Sequence, residues 1–234
     1  MPAPFELPCT FDPIEHAYCD SRGRRHRSVT QILADCDCVD FSMVDPIVLK
    51  AAAERGTRVH ALTAKWDRVR GTLKWERPRT PLTLSEFFEA ERVRPDDRGY
   101  VEQYERFLCE TGFEAIHAET ERPRLVEIHN TIVGMTPDRV GTFPPTRQKI
   151  ILDIKTGSYQ LAHPLQLAGY SMGIERVMQL ALQHERIALY LEERTYRLNW
   201  FSQQQDYYAF LDAISGGGRY LQTWKSHRTR KQIA

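Results

Sequence analysis

Residues 134–155 read GMTPDRVGTFPPTRQKIILDIK, a pattern that predicts two strands joined by a turn. The second strand is the informative one. In Ile150-Ile151-Leu152-Asp153-Ile154-Lys155, strong strand formers surround two charged residues. Side chains alternate along a strand, so Asp153 and Lys155 share one face while Leu152 and Ile154 share the other. A strand this apolar belongs in the interior, where an unpaired charge is very unfavourable. A buried Asp–Lys ion pair would account for both residues. It would not account for Asp138, which the hairpin carries back beside Asp153. Two neighbouring carboxylates repel unless a proton or a cation lies between them. A hard divalent ion with oxygen ligands and retained waters suits such a pair.

Outward from this hairpin, further residues fall into place. Gln166 and Tyr170 are four apart on a helix predicted from Pro164 to about Gln183, so they project together. Its remaining surface is apolar through Leu165, Leu167, Met172, Ile174 and Leu180. Upstream, Asp45-Pro46 starts a helix running to about Arg70, with Val48, Ala52, Val59, Leu62 and Trp66 at helical spacing. Gly56 and His60 share one face of it. Helical spacing returns over 84–94, with Pro95 as its end, and over 97–111, with Gly112 as its stop. From Phe113 the period changes to two. Ile116 and Ala118 then face one way, and His117, Glu119 and Glu121 the other. Strands over 125–128 and 131–135, joined at His129-Asn130, are expected to make a three-stranded antiparallel meander with 149–155. A strand over 186–191, another over 195–201, and a helix over 203–224 broken at Gly216-Gly217-Gly218 close the chain.

Pro137-Asp138 followed by Asp153-Ile154-Lys155 matches the signature of PD-(D/E)XK nucleases. Ile151 to Gly157, followed by Gln166-Leu167-Ala168-Gly169-Tyr170, resembles the core of the RecB-like and phage-type exonuclease group. Gly56-Thr57-Arg58-Val59-His60 resembles the Gly-x-x-x-His helix of that group. His16-Ala17-Tyr18 and Ser28 to Leu33 resemble its N-terminal segment. The resemblance covers about residues 10–210 and is strongest over 134–170.

It implies an α/β fold with a restriction-endonuclease-like core, a mixed central sheet flanked by helices, and an N-terminal helical region. The whole chain, 1–234, would be one domain, with a hairpin and helical part over 1–111 and the catalytic sheet over 112–234. It further implies Mg²⁺ or Mn²⁺ held by Asp138, Asp153, His60 and the carbonyl of Ile154. Lys155 and Glu119 would complete the catalytic set, and Gln166 and Tyr170 would contact substrate. Glu121 has the same facing as Glu119 and is the alternative to it. The implied function is metal-dependent DNA cleavage, by an exonuclease or end-processing enzyme of recombination, repair or phage DNA metabolism. A structure-specific endonuclease, or a DNA-binding module that keeps the fold without catalysis, are the alternatives. A glycosidase would also use paired carboxylates but has no need of a lysine two residues along the same strand.

Bulk properties narrow the class. At 234 residues with 41% apolar and 27% charged side chains, the chain has the make-up of a globular protein with a single core. No apolar run approaches the roughly 20 residues a membrane helix needs. The opening MPAPFELPCTFDP lacks the build of a secretory signal, so a cytoplasmic protein with no membrane partner is expected. Cysteines at 9, 19, 36, 38 and 109 have neither zinc spacing nor a C-terminal cluster. Reduced thiols and no iron–sulfur centre are expected. A net charge of +1 does not suit a protein that coats nucleic acid, but Arg22, Arg24, Arg25 and Arg27, and the tail with Arg219, Lys225, Arg228, Arg230 and Lys231, are local basic clusters. No helicase motif is present, so a motor, recombinase or annealing protein would be a separate partner.

Overall fold

The computed structural model describes residues 6–13, 15–75, 82–116, 119–144, 146–179 and 184–233. Among these, the chain is a mixed α/β protein whose central sheet has helices on both faces. The sheet is built from β5 (Glu114–Ala115), β8 (Arg139–Phe143), β9 (Gln148–Lys155), β10 (Glu185–Leu191) and β11 (Tyr196–Trp200), in the order β11-β10-β9-β8-β5. β8 and β9 form the antiparallel hairpin expected from sequence, with Arg139 opposite Leu152 and Phe143 opposite Gln148. β10 lies parallel to β9, Ala188 opposite Asp153 and Tyr190 opposite Lys155. A parallel pair needs a long crossover, and α5 (Ala162–Met178) supplies it.

Alternation along β9 separates two cores. Ile150, Leu152 and Ile154 join Ile187, Leu189 and Leu191 on one face. There they pack on α2 (Pro46–Trp75), α3 (Leu84–Ala90) and α4 (Pro95–Thr111), through Val59, Trp66, Phe87, Tyr104 and Phe107. Ile151 and Ala188 face the other way, onto α1 (Val29–Asp35), α5, α6 (Gln205–Ile214) and α7 (Arg219–Ile233). Asp153 and Lys155 have the parity of Ile151 and so point toward α5.

Close packing on that face depends on small residues. A Cβ on Gly169 of α5 would stand 2.6 Å from the Phe210 ring of α6, whose side chain is fully buried. Gly169→Ala should therefore destabilise the fold by about 1–3 kcal/mol through overpacking, despite alanine's better helix propensity. Urea denaturation measures it. An unchanged midpoint would mean that α5 and α6 separate freely.

Local signals account for the element ends. Ser28 caps α1 in a capping box with Gln31, and Asp45 Oδ1 accepts from the Ile47 amide at the start of α2. Gly112, at φ 66°, ends α4. Gly216 and Gly217, at φ 104° and 77°, break α6 from α7. The turn at Ser21-Arg22-Gly23 joins β3 (Ala17–Cys19) to β4 (Arg25–His26), and β2 (Thr10–Asp12) completes that small sheet.

Four expectations are corrected. The strands β6 (Arg124–Ile128) and β7 (Thr131–Met135) do not join β9 in a meander. They pair with β1 (Glu6–Leu7) in a sheet of their own. Pro137 has no amide to donate to a ladder, so the chain leaves the sheet between β7 and β8. Pro95 does not end a helix but begins one: α3 stops at Ala90, and Pro95 occupies the first turn of α4, where its missing amide is no loss. α2 runs past Arg70 to Trp75. The alternating run from Phe113 lasts only through β5; residues 119–121 are a turn, with Glu121 at φ 47°. His117, Ala118 and 180–183, with Leu180 and the expected helix end at Gln183, lie outside the described residues. So do residues 76–81, within the proline-containing stretch 71–82 whose sequence reads as a loop. The five cysteines are free. Among the described residues, no helix is long and apolar enough to cross a membrane.

Candidate active site

The candidate site lies at the C-terminal end of β9, between α5 and α2. Asp153 is 1% exposed and Asp138 8%. The hairpin brings them together by a specific contact: the amide of Ile154 donates to Asp138 Oδ2 at 2.6 Å. β8 begins only at Arg139, so Asp138 stands just outside its ladder, free to turn toward the end of β9. Lys155 Nζ lies 2.6 Å from Asp153 Oδ2 and donates to Gln166 Oε1 at 2.9 Å. Gln166 Nε2 in turn reaches Asp153 Oδ1 at 3.3 Å and the Tyr170 hydroxyl at 3.0 Å. Gln166, bonded to its i+4 neighbour Tyr170, thus clamps both the lysine and the acid.

His60 arrives from the opposite layer. Its Nδ1 is 3.2 Å from Asp138 Oδ1, and its ring stays partly open to solvent. Gly56, one turn earlier, faces the residue after Lys155: a Cβ there would sit 3.5 Å from Thr156 Oγ1. Arg55 donates to the Thr156 carbonyl at 3.2 Å, fixing the chain just past the lysine. Asp138, Asp153, Lys155, Gln166, Tyr170 and His60 therefore converge. Ile154 is in contact with Asp138 through its amide.

The electrostatics are those of a crowded acidic site. Burial pushes the Asp153 carboxyl up to about 6; Lys155 works against this rise and Asp138 adds to it. Burial also disfavours the charge on Asp138. The neighbouring His60, Lys155 and the Ile154 amide outweigh it and hold that carboxyl below the ordinary range. For His60, burial opposes protonation, but Asp138 beside it raises the pKa overall. Asp153 Oδ2 is buried, with the ammonium close by but no aligned hydrogen bond. Such an oxygen still has a lone pair to give to a cation.

Glu119 is placed differently from expectation. It lies in the 119–121 turn, ion-paired with the buried Arg124 and 3.8 Å from Arg122. Glu121 is the acid that the turn directs toward the site. Burial raises its pKa, Arg139 counters, and Asp138 raises it further. Its Oε1 accepts from Arg139 Nη1 at 3.2 Å. Arg139, outside the motifs that mark the site in sequence, is fully buried next to Asp138 and donates to its carbonyl at 2.7 Å. Its signal was present: an arginine next to Asp138 in a strand of Val, Gly and Phe is as anomalous as Lys155 in β9.

Among the described residues no group of three His, Cys, Asp or Glu side chains is gathered as a ready-made metal cage. What the site offers is two neighbouring carboxylates, one of them ion-paired with Lys155, and an imidazole. The carboxylates are hard oxygen donors that suit Mg²⁺ or Mn²⁺, and the imidazole is a borderline donor beside them. Compared with protein-family models and with curated proteins, the chain matches none.

Proposed function

We propose that this protein is a divalent-metal-dependent deoxyribonuclease with a restriction-endonuclease-like core, acting on DNA ends or single strands. The observation that carries the reading is the juxtaposition of Asp138 with the Asp153/Lys155 pair through the Ile154 amide. An ion pair alone explains Asp153 and Lys155. It leaves no reason to bury a second carboxylate against the first. A DNA-binding module without catalysis would have no use for the Gln166 clamp on the lysine.

Asp138 and Asp153 would hold the ion, with His60 contributing from α2. Bound there, Mg²⁺ or Mn²⁺ would lower the pKa of water and neutralise charge on the phosphate. Lys155, kept in place by Gln166 Oε1, would hold its ammonium toward the scissile phosphate, where negative charge grows in the transition state. Tyr170, behind Gln166, keeps the amide in the orientation that receives the lysine proton and donates toward Asp153. Incubating the purified protein with Mn²⁺ and linear DNA tests the reading, with a closed circular plasmid beside it. Progressive loss of the linear form is expected. Discrete bands from the circle, fixed in sequence, would instead indicate a sequence-reading endonuclease.

Metal should also stabilise the fold. A ligand that binds only the native state adds RT ln(1 + [L]/Kd), about 2.7 kcal/mol at a hundred times Kd. Added Mg²⁺ or Mn²⁺ should raise the melting temperature of the parent. Asp153→Asn removes a repelling charge and a ligand together. That variant should melt no lower than the metal-free parent, gain little from metal, and be inactive. Calorimetry with chelator and with Mn²⁺ measures both proteins. A parent indifferent to metal would favour the bare ion pair.

A further inference from the structure

A second feature lies away from the acids, along α7. A groove of about 400 Å³ runs between the start of α6 and this helix, lined by Gln203, Gln205, Tyr220, Trp224, His227 and Arg228. Tyr220 is 41% exposed and meets Tyr208, 50% exposed, edge to face at 6.1 Å. Surface aromatics of this size beside a groove offer flat apolar faces to a planar ligand.

The charge along α7 itself is one-sided, although the Asp212 carboxylate of α6 accepts from the Leu221 amide at 2.8 Å near its start. From Arg219 to the end of the chain the sequence has Arg219, Lys225, Arg228, Arg230 and Lys231 and no acid, although the whole protein is close to neutral. The acid packed beneath the groove is Asp206, which is fully buried. Two guanidiniums converge on it, Arg228 Nη2 at 2.7 Å and Arg186 Nη2 at 3.4 Å. The Trp224 indole adds a hydrogen bond at 3.0 Å. One carboxylate cannot neutralise two arginines, so positive charge remains at the floor. Arg228 Nε, moreover, is buried without a hydrogen-bond partner.

Tyr159, four residues after Lys155, lies near the charged floor of this groove. It packs on Phe201 with ring centroids 6.4 Å apart, and its hydroxyl, raised in pKa chiefly by burial, is within reach of the charges of both Arg228 and Asp206. Stacking faces, surplus guanidinium charge and polar amides from Gln203 and Gln205 together suit a ligand with planar bases and phosphates. From this we propose that the α7 groove binds a single-stranded segment of nucleic acid, with a base stacked on Tyr220 and a phosphate drawn to Arg228 and His227. The course of that strand toward Lys155 rests on the nuclease reading; the groove's affinity for it does not.

Fluorescence anisotropy with labelled oligo(dT) in chelator tests this, beside a blunt duplex of the same length. Tyr220→Ala should weaken oligo(dT) binding about tenfold, since base–aromatic stacking is worth that much per base, and leave duplex binding within about twofold. Tyr220→Phe keeps the ring and should bind oligo(dT) like the parent. Tyr220 is half out in solvent, so an unchanged melting temperature is expected and is checked in the same preparations. The proposal is overturned if Tyr220→Ala binds oligo(dT) like the parent, or if oligo(dT) and duplex affinities fall together. Cleavage by the parent with Mn²⁺ is scored separately. A parent that cuts nothing while Tyr220→Ala loses oligo(dT) binding removes the nuclease reading and leaves the groove standing. A parent that cuts DNA while Tyr220→Ala binds normally removes the groove alone.

Discussion

Lys155→Ala should hydrolyse DNA at least about a thousandfold more slowly than the parent while binding it within a few-fold. The rate effect is large because the ammonium is held in place before substrate arrives: Asp153 Oδ2 lies 2.6 Å away and Gln166 Oε1 2.9 Å. A charge held by two fixed partners needs no reorganisation when the phosphate becomes more negative, and removing such a group removes stabilisation specific to the transition state. Affinity should change little, because one lysine would be a small part of the proposed nucleic-acid surface, which includes α7. Stability should fall only modestly. Without the ammonium, the Asp153 carboxyl, already raised to about 6 by burial, moves further up and takes a proton, so no bare charge stays buried. A loss of about 1–3 kcal/mol leaves a protein of ordinary stability folded. Single-turnover rates with Mn²⁺, and dissociation constants in chelator, measure the two effects separately. Cleavage at the parent's rate by a folded Lys155→Ala would remove Lys155 from the chemistry and with it the proposed active site.

What the sequence made legible was local. β9 could be read because alternation is a property of one strand: Leu152 and Ile154 do face the α2/α4 core, and Asp153 does share a face with Lys155. Gln166 and Tyr170 could be paired because a helix fixes their spacing. The hairpin carrying Asp138 was legible for the same reason, although the contact that seats it, the Ile154 amide, is a detail of register. Long-range pairing was not legible. β6 finds its partner in β1, more than a hundred residues earlier in the chain, and nothing local in Leu125-Val126 names Leu7 and Glu6 as neighbours. Glu119 went astray through a backbone event. The period-two pattern ends after β5, and the turn at 119–121 delivers Glu119 to Arg124 and Arg122 instead of to Asp138. Glu121 sits at φ 47°, a conformation that no strand pattern foretells for glutamate. Arg139 was missed for another reason: its partners come from three separate stretches of chain.

Those partners make Arg139→Met the most damaging substitution expected outside the site. The side chain is fully buried, with Nε donating to Asp67 Oδ2 at 2.5 Å and to the Tyr104 hydroxyl at 3.2 Å. Nη2 reaches Thr63 Oγ1 at 3.1 Å, and Nη1 reaches both Glu121 and the Asp138 carbonyl. One guanidinium therefore ties α2, α4, the 119–121 turn and the start of β8 together. Methionine fills comparable volume without charge, so the loss is electrostatic rather than a cavity. Asp67 is itself 5% exposed, and removing the cation that faces a buried acid typically costs about 3–5 kcal/mol. Against a total of roughly 5–15 kcal/mol, that is enough to leave a fraction of the chain unfolded at ordinary temperature. Arg139→Lys should recover only part of the loss, since a single ammonium cannot span donors that a planar fork reaches at once. The double variant Arg139→Met/Asp67→Leu should be more stable than Arg139→Met alone, because it also withdraws the buried acid that Arg139 had faced. Urea denaturation of the four proteins measures these differences directly. If Arg139→Met unfolds within about 1 kcal/mol of the parent, the network does not hold the layers together, and the placement of Asp138 must depend on the Ile154 amide and His60 alone.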